Sequence, residues 1–101
     1  MARVTATKVK RETGLAGVAQ GPRGYDLKVD GEEIGQVFPY RSDVWSRDYE
    51  GWKFQLYGRF VNRKENAQSK TLWPMNDEGK DQCKDAAIAL IKQILAKKAE
   101  G

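Results

Sequence analysis

From Tyr25 the chain alternates: Tyr25, Leu27 and Val29 fall on one side, and Asp26, Lys28 and Asp30 on the other. That period of two predicts a half-buried strand. Asp30-Gly31 follows as a hairpin signal, with Ile34, Val37 and Phe38 on the returning strand. A turn centred on Asp30-Gly31 pairs Val29 with Glu32, whereas one centred on Gly31-Glu32 pairs Val29 with Ile34. The second matches apolar to apolar and is the register expected. Gly35 marks a bulge or a close packing approach. Pro39 to Glu50 is a polar connection, long for a hairpin, that carries Tyr40, Val44, Trp45 and Tyr49. The clearest strand comes next, with Trp52, Phe54, Leu56 and Phe60 alternating with Lys53, Gln55, Tyr57 and Arg59. A polar turn over 62–69 leads to a short strand at Thr71–Trp73, stopped by Pro74.

The period then changes to that of a helix over 77–98. Cys83, Ala87, Leu90, Ile91, Ile94 and Leu95 form a broad apolar stripe. Asn76 or Asp77 can cap its start, and Lys97 and Lys98 suit its negative C-terminal end. Gly79 sits awkwardly in the first turn. The stripe needs an apolar partner, and the ring-bearing sheet is the one available. The expected fold is therefore α+β, a three- or four-stranded antiparallel sheet with one C-terminal helix packed on one face. All ten aromatic residues lie between Tyr25 and Trp73. The compact domain is accordingly expected over 23–98, with 1–22 as a basic flexible arm or edge strand and 99–101 as a tail.

Composition narrows the function classes. The 101 residues include no His and one Cys. His-based triads, imidazole general bases, nearly all zinc sites and disulfide scaffolds are thereby removed. Cys83 reads as a small core residue. Asp26, Asp30, Glu32 and Glu33 cluster at one hairpin end, and acids at such a turn read as turn chemistry. The Gly-rich stretch from Gly14 to Gly24 lacks the Gly-Lys-Ser/Thr of a phosphate loop. A non-enzymatic protein with no cofactor and no metal is expected. No apolar run is long enough to cross a bilayer, and the first 20 residues lack a secretory pattern, so a cytoplasmic location is expected.

The net charge of +4 is unevenly spread. Residues 1–23 carry five basic side chains against one acidic, 24–57 four against seven, and 58–101 nine against six. Basic groups with an interleaved ring, Lys53, Gln55, Tyr57 and Arg59, continued by Arg63, Lys64 and Lys70, point to nucleic-acid binding through a basic sheet face and turn, DNA ahead of RNA. Affinity for a duplex, falling steeply with salt, is the expectation. Asp26 and Asp30 on the preceding hairpin oppose it. The alternative is a protein-interaction domain that binds and inhibits a host enzyme or defence complex through Tyr40, Arg41, Trp45, Arg47 and Tyr49, since exposed rings beside arginine anchor interfaces. Uncovered strands at Thr71–Trp73 or in the N-terminal segment offer edges through which two chains could pair as a homodimer.

The run from Trp52-Lys53-Phe54 to Lys84-Asp85-Ala86-Ala87, about half the chain, resembles three-stranded DNA-binding domains of the AP2 and phage-integrase arm-binding type. That resemblance implies a sheet entering the major groove with Lys53, Gln55, Tyr57 and Arg59. Lys80, Lys84, Ala86 and Ala87 resemble the last helix of double-stranded-RNA-binding domains, although no first helix precedes Tyr25. The segment from Arg23 to Gly31, with Gly35 and Gly51-Trp52, is similar to small uncharacterised bacteriophage proteins, which implies a phage or mobile-element origin.

Overall fold

A computed structural model describes residues 3–8, 24–41 and 49–100. In chain order the elements are β1 (Val4–Lys8), β2 (Tyr25–Val29), β3 (Glu32–Tyr40), β4 (Gly51–Leu56), α1 (Gly58–Val61), β5 (Ala67–Gln68) and α2 (Asp77–Glu100). The strands form one antiparallel sheet in sequence order, so the expected α+β architecture is present with five strands in place of three or four. The added strands are β1, from the segment expected as an arm or edge strand, and the two-residue β5. Thr71–Trp73 is not a strand. Trp73 instead makes an isolated bridge to Trp52, with backbone hydrogen bonds of 2.8 and 3.0 Å.

The hairpin turns at Asp30-Gly31, pairing Val29 with Glu32, against the register expected from apolar matching. Both turn residues have positive φ, 52° and 84°, the backbone that a two-residue turn between twisted strands demands. Taken alone, this register would face Leu27 with Ile34 and put Val37 on the wrong side. A bulge repairs it: Lys28 pairs with Glu33, and Leu27 with Gly35, leaving Ile34 as the extra residue. Ile34 and Val37 both reach the core as a result. Gly35 is required there, because a Cβ would lie 2.5 Å from the Gln55 carbonyl oxygen and 2.9 Å from Leu56 Cδ2.

The core gathers Leu27, Ile34, Val37, Trp52, Phe54, Leu56 and Phe60 from the sheet side, and Cys83, Ala87 and Ile91 from α2. Of the predicted helical stripe, Leu90, Ile94 and Leu95 are half-buried flanks. Cys83 is a core residue, fully buried, and burial pushes its thiol up to about 12. The β4 strand ends at Leu56, short of the predicted Phe60. Tyr57 is the N-cap residue of α1, Asn62 closes it in the left-handed region, and Phe60 reaches the core from this single turn. Gly58 permits that fold-back, since a Cβ would meet the Arg63 carbonyl at 2.6 Å.

The α2 helix starts as its sequence suggests. Asn76 Oδ1 accepts a 2.7 Å hydrogen bond from the Gly79 N–H, and Asp77 and Glu78 occupy the first turn. Gly79 is not a flaw, because a Cβ would lie 1.9 Å from the Pro74 carbonyl oxygen. At the other end Lys98 Nζ donates to the Phe60 carbonyl at 2.6 Å and lies 4.5 Å from its ring centroid, tying the last turn to α1.

Urea unfolding tests these two local requirements. Asn76→Ala is expected to cost about 0.5–2 kcal/mol through the lost cap. Gly35→Ala is expected to cost about 1–3 kcal/mol through overpacking against backbone. Equal stability of the Gly35 variant and the native chain would contradict the packed bulge.

Candidate nucleic-acid interface

Because α2 covers one face of the sheet, alternation along each strand fixes what the other face displays. Paired residues share a face, so the ladder Thr7–Asp26–Gln36–Gln55–Gln68 runs across all five strands on the side away from the helix. Beside it, Thr5, Lys28 and Glu33 form a row towards the hairpin end, and Phe38 pairs with Lys53 towards the opposite end. None of these residues is buried. Tyr40 follows Phe38 by one strand period and faces Gly51, which offers no side chain. Lys53 fills that space, its Nζ 4.1 Å from the Tyr40 ring centroid.

Of the nucleic-acid residues predicted from sequence, Lys53 and Gln55 lie on this open face. Tyr57 does too, but it is occupied: its hydroxyl donates a 2.6 Å hydrogen bond to Glu33 Oε2. Burial, and then the Glu33 carboxylate, push its pKa up to about 12. Arg59 lies in α1 and reaches back to the hairpin, donating to the Glu33 carbonyl at 2.8 Å and pairing with Glu32 at 3.6 Å. Tyr57 and Arg59 therefore clasp α1 to β3. Arg63 and Lys64 are exposed in the turn after α1, beyond the Leu56 end of β4 and away from Lys53. Lys70 is exposed and follows Ser69, which is held beside Phe54 by bonds of 2.9 and 3.2 Å. This places Lys70 along the β4 edge at the Lys53 side. The seven predicted residues thus divide into an open-face pair (Lys53, Gln55), an exposed lysine at the sheet edge (Lys70), a structural clasp (Tyr57, Arg59) and a remote turn (Arg63, Lys64).

The face as a whole is not basic, since Lys28 and Lys53 share it with Asp26 and Glu33. The hairpin acids are engaged locally: Asp30 Oδ1 accepts from the Arg3 N–H at 2.8 Å, Glu32 pairs with Arg59, and Glu33 holds Tyr57. Among the described residues no group of three acids and cysteines could hold a metal ion. Positive charge and rings coincide at the opposite end, where Arg41 also lies 5.2 Å from the Tyr49 ring centroid. Tyr40, Arg41 and Tyr49, read from sequence as a protein-contact set, therefore adjoin Lys53. Trp45 and Arg47 of that set lie outside the described residues. Leu72, exposed at 39%, flanks this end.

Sequence reasoning missed Phe38, Gln36 and Gln68. The β2–β3 bulge decides the face of Gln36 and Phe38, and Gln68 belongs to a two-residue strand, so pattern alone could not place them. Phe38 is the informative one: it is a half-buried phenylalanine that takes no part in the hydrophobic core. Lys80 and Lys84 sit on the helix side, 5.0 and 5.3 Å from the Tyr25 ring centroid, while the Tyr25 hydroxyl donates to Asp81 Oδ1 at 3.3 Å. These lysines are committed to packing α2 on β2. Lys80 also lies 5.5 Å from the buried Trp52 ring.

No protein-family model matches the chain, and neither the curated proteins nor the solved structures contain a match to it.

The Tyr57 clasp has a pH signature. Its folded pKa lies above the ordinary value of 10, so it contributes stability that is complete below pH 10 and is lost as pH rises towards about 12. Urea midpoints measured from pH 9 to 12 are expected to fall less steeply in Tyr57→Phe than in the native chain. Parallel curves would contradict the clasp.

Proposed function

We propose that the chain is a non-enzymatic nucleic-acid-binding protein whose contact surface is the Phe38, Tyr40, Lys53 and Gln55 end of the open sheet face, with exposed Lys70 at its edge. The observation that carries this reading is the pair of rings, Phe38 and Tyr40, facing away from the core beside Lys53. Phe38 takes no part in the hydrophobic core, so packing against α2 gives no reason to display it there. A platform for stacking supplies one, because every base has a π-face and a neighbouring cation neutralises phosphate. The glutamine amides of Gln36, Gln55 and Gln68 add donors and acceptors suited to base edges.

The rings also refine the ligand. In a duplex the base faces are already stacked on one another, so rings on an open sheet favour unpaired bases. The expected ligand therefore shifts from duplex to single-stranded nucleic acid, with DNA kept ahead of RNA. A second reading, contact with a protein partner through Tyr40, Arg41 and Tyr49, is favoured by the exposure of Leu72 at the same end.

Fluorescence anisotropy with labelled single-stranded oligonucleotides and matched duplexes separates these readings. Single strands are expected to bind more tightly than duplex. Phe38→Ala should weaken binding about tenfold or more, and Lys53→Ala should lower the salt slope by about 0.7. Arg63→Ala should have the smaller effect. Absence of saturable binding at low salt, or binding indifferent to both Phe38 and Lys53, would overturn the proposal and leave the protein-contact reading.

A further inference from the structure

The two edges of the sheet are built differently. The β5 edge is two residues long, and beyond it the Ser69 hydroxyl accepts from the Phe54 N–H at 3.2 Å and donates to the Thr71 carbonyl at 3.1 Å. That edge is blunted. The β1 edge is five residues long, and no described residue pairs with its outer side. Val4 to Thr7 contains no proline, glycine, bulge or charge, the devices that protect an exposed edge.

The phase of β1 is fixed at its start. The Asp30 N–H donates to the Arg3 carbonyl at 2.8 Å, so Arg3, Thr5 and Thr7 turn their backbone groups towards β2. Val4, Ala6 and Lys8 turn theirs outwards. An antiparallel copy placed two-fold about Ala6 satisfies all three. In that register Ala6 faces the partner's Ala6, two methyl groups that do not collide. Thr5 faces the partner's Thr7 on the open side, a favourable cross-strand pair. Lys8, the one charge, faces the partner's Val4, so like charges are not opposed. On the helix side Val4 and Ala6 are only half-buried, in contrast to the fully buried Leu27 that pairs with Ala6 from β2, and a second copy would complete their cover.

We propose that the chain self-associates through β1, antiparallel about Ala6, into a two-fold dimer with a continuous ten-stranded sheet. The axis runs perpendicular to the sheet, so both helices lie on one side and both open faces on the other. This proposal stands independently of the nucleic-acid reading. If both hold, one continuous face presents two copies of the Phe38–Lys53 patch, and binding to a long strand gains from bivalency.

Sedimentation equilibrium of the full chain, from about 1 µM to about 1 mM, covers the span over which weak interfaces titrate. The native chain is expected to pass from monomer to dimer. Ala6→Pro removes an outward N–H while sparing the β1–β2 ladder, a position where an edge strand tolerates proline, and should remain monomeric. T5K/T7K sets lysines opposite one another on the exposed side and should also be monomeric, which decides the matter if the proline variant fails to fold. Hydrogen exchange in the native dimer should protect the Val4, Ala6 and Lys8 amides. A native chain monomeric throughout, or a dimer that survives T5K/T7K, would overturn the proposal.

Discussion

The bulge at Ile34–Gly35 is the constraint on which the rest of the sheet depends. Asp30 and Gly31 are suited to a two-residue turn, and that turn fixes the pairing of Val29 with Glu32. Continued without interruption, the pairing would send Val37 to solvent and bring Gln36, Phe38 and Tyr40 against the helix. Burying Val37 contributes about 1.5–3 kcal/mol, against about 0.5–1.5 kcal/mol for one interrupted ladder hydrogen bond. One extra residue therefore reconciles local turn chemistry with the apolar face. The backbone can close over it because residue 35 has no Cβ to strike Gln55 and Leu56.

What lies beyond the bulge inherits its parity. Val37 and Pro39 face the helix, while Gln36, Phe38 and Tyr40 face outwards beside Gln55 and Lys53. Pro39 is tolerated because β3 there runs past Tyr25, where its pairing with β2 begins, so no ladder bond to β2 asks for its N–H. The hairpin end and the loop end of the sheet then acquire opposite characters. At the hairpin end, acids are consumed by Arg3, Tyr57 and Arg59 in holding β1 and α1 in place. At the loop end, lysine and arginine lie over tyrosine rings at the surface. The total charge of +4 conceals this division.

Much of the architecture was legible. The Tyr25–Val29 alternation, the Trp52–Leu56 strand and the Cys83–Ile91 stripe each follow one strong period, and each is present; of the two caps offered, Asn76 or Asp77, Asn76 is the one that accepts the Gly79 N–H. The failures have a common cause in features shorter than any period. The single turn of α1 and the two residues of β5 leave no pattern to count, and a bulge changes parity by one residue without altering composition. Apolar matching therefore chose the wrong hairpin register, although Gly35 was flagged as a site of bulging. The same slip hid Phe38, which looks like one more strand hydrophobe until its face is known. Tyr57 and Arg59 suggested an extended basic face because the strand was read past its true end at Leu56.

The proposed contact face is Phe38, Tyr40 and Lys53, turned outwards by the bulge, and residue-resolved NMR during titration with a single-stranded oligonucleotide tests it most directly. Saturable shifts are predicted to concentrate at Gln36, Phe38, Tyr40, Lys53, Gln55 and Lys70, with the α2 amides between Cys83 and Ile91 unmoved. Shifts centred on the outer surface of α2 or on Arg63 and Lys64, or no shifts at all, would contradict it.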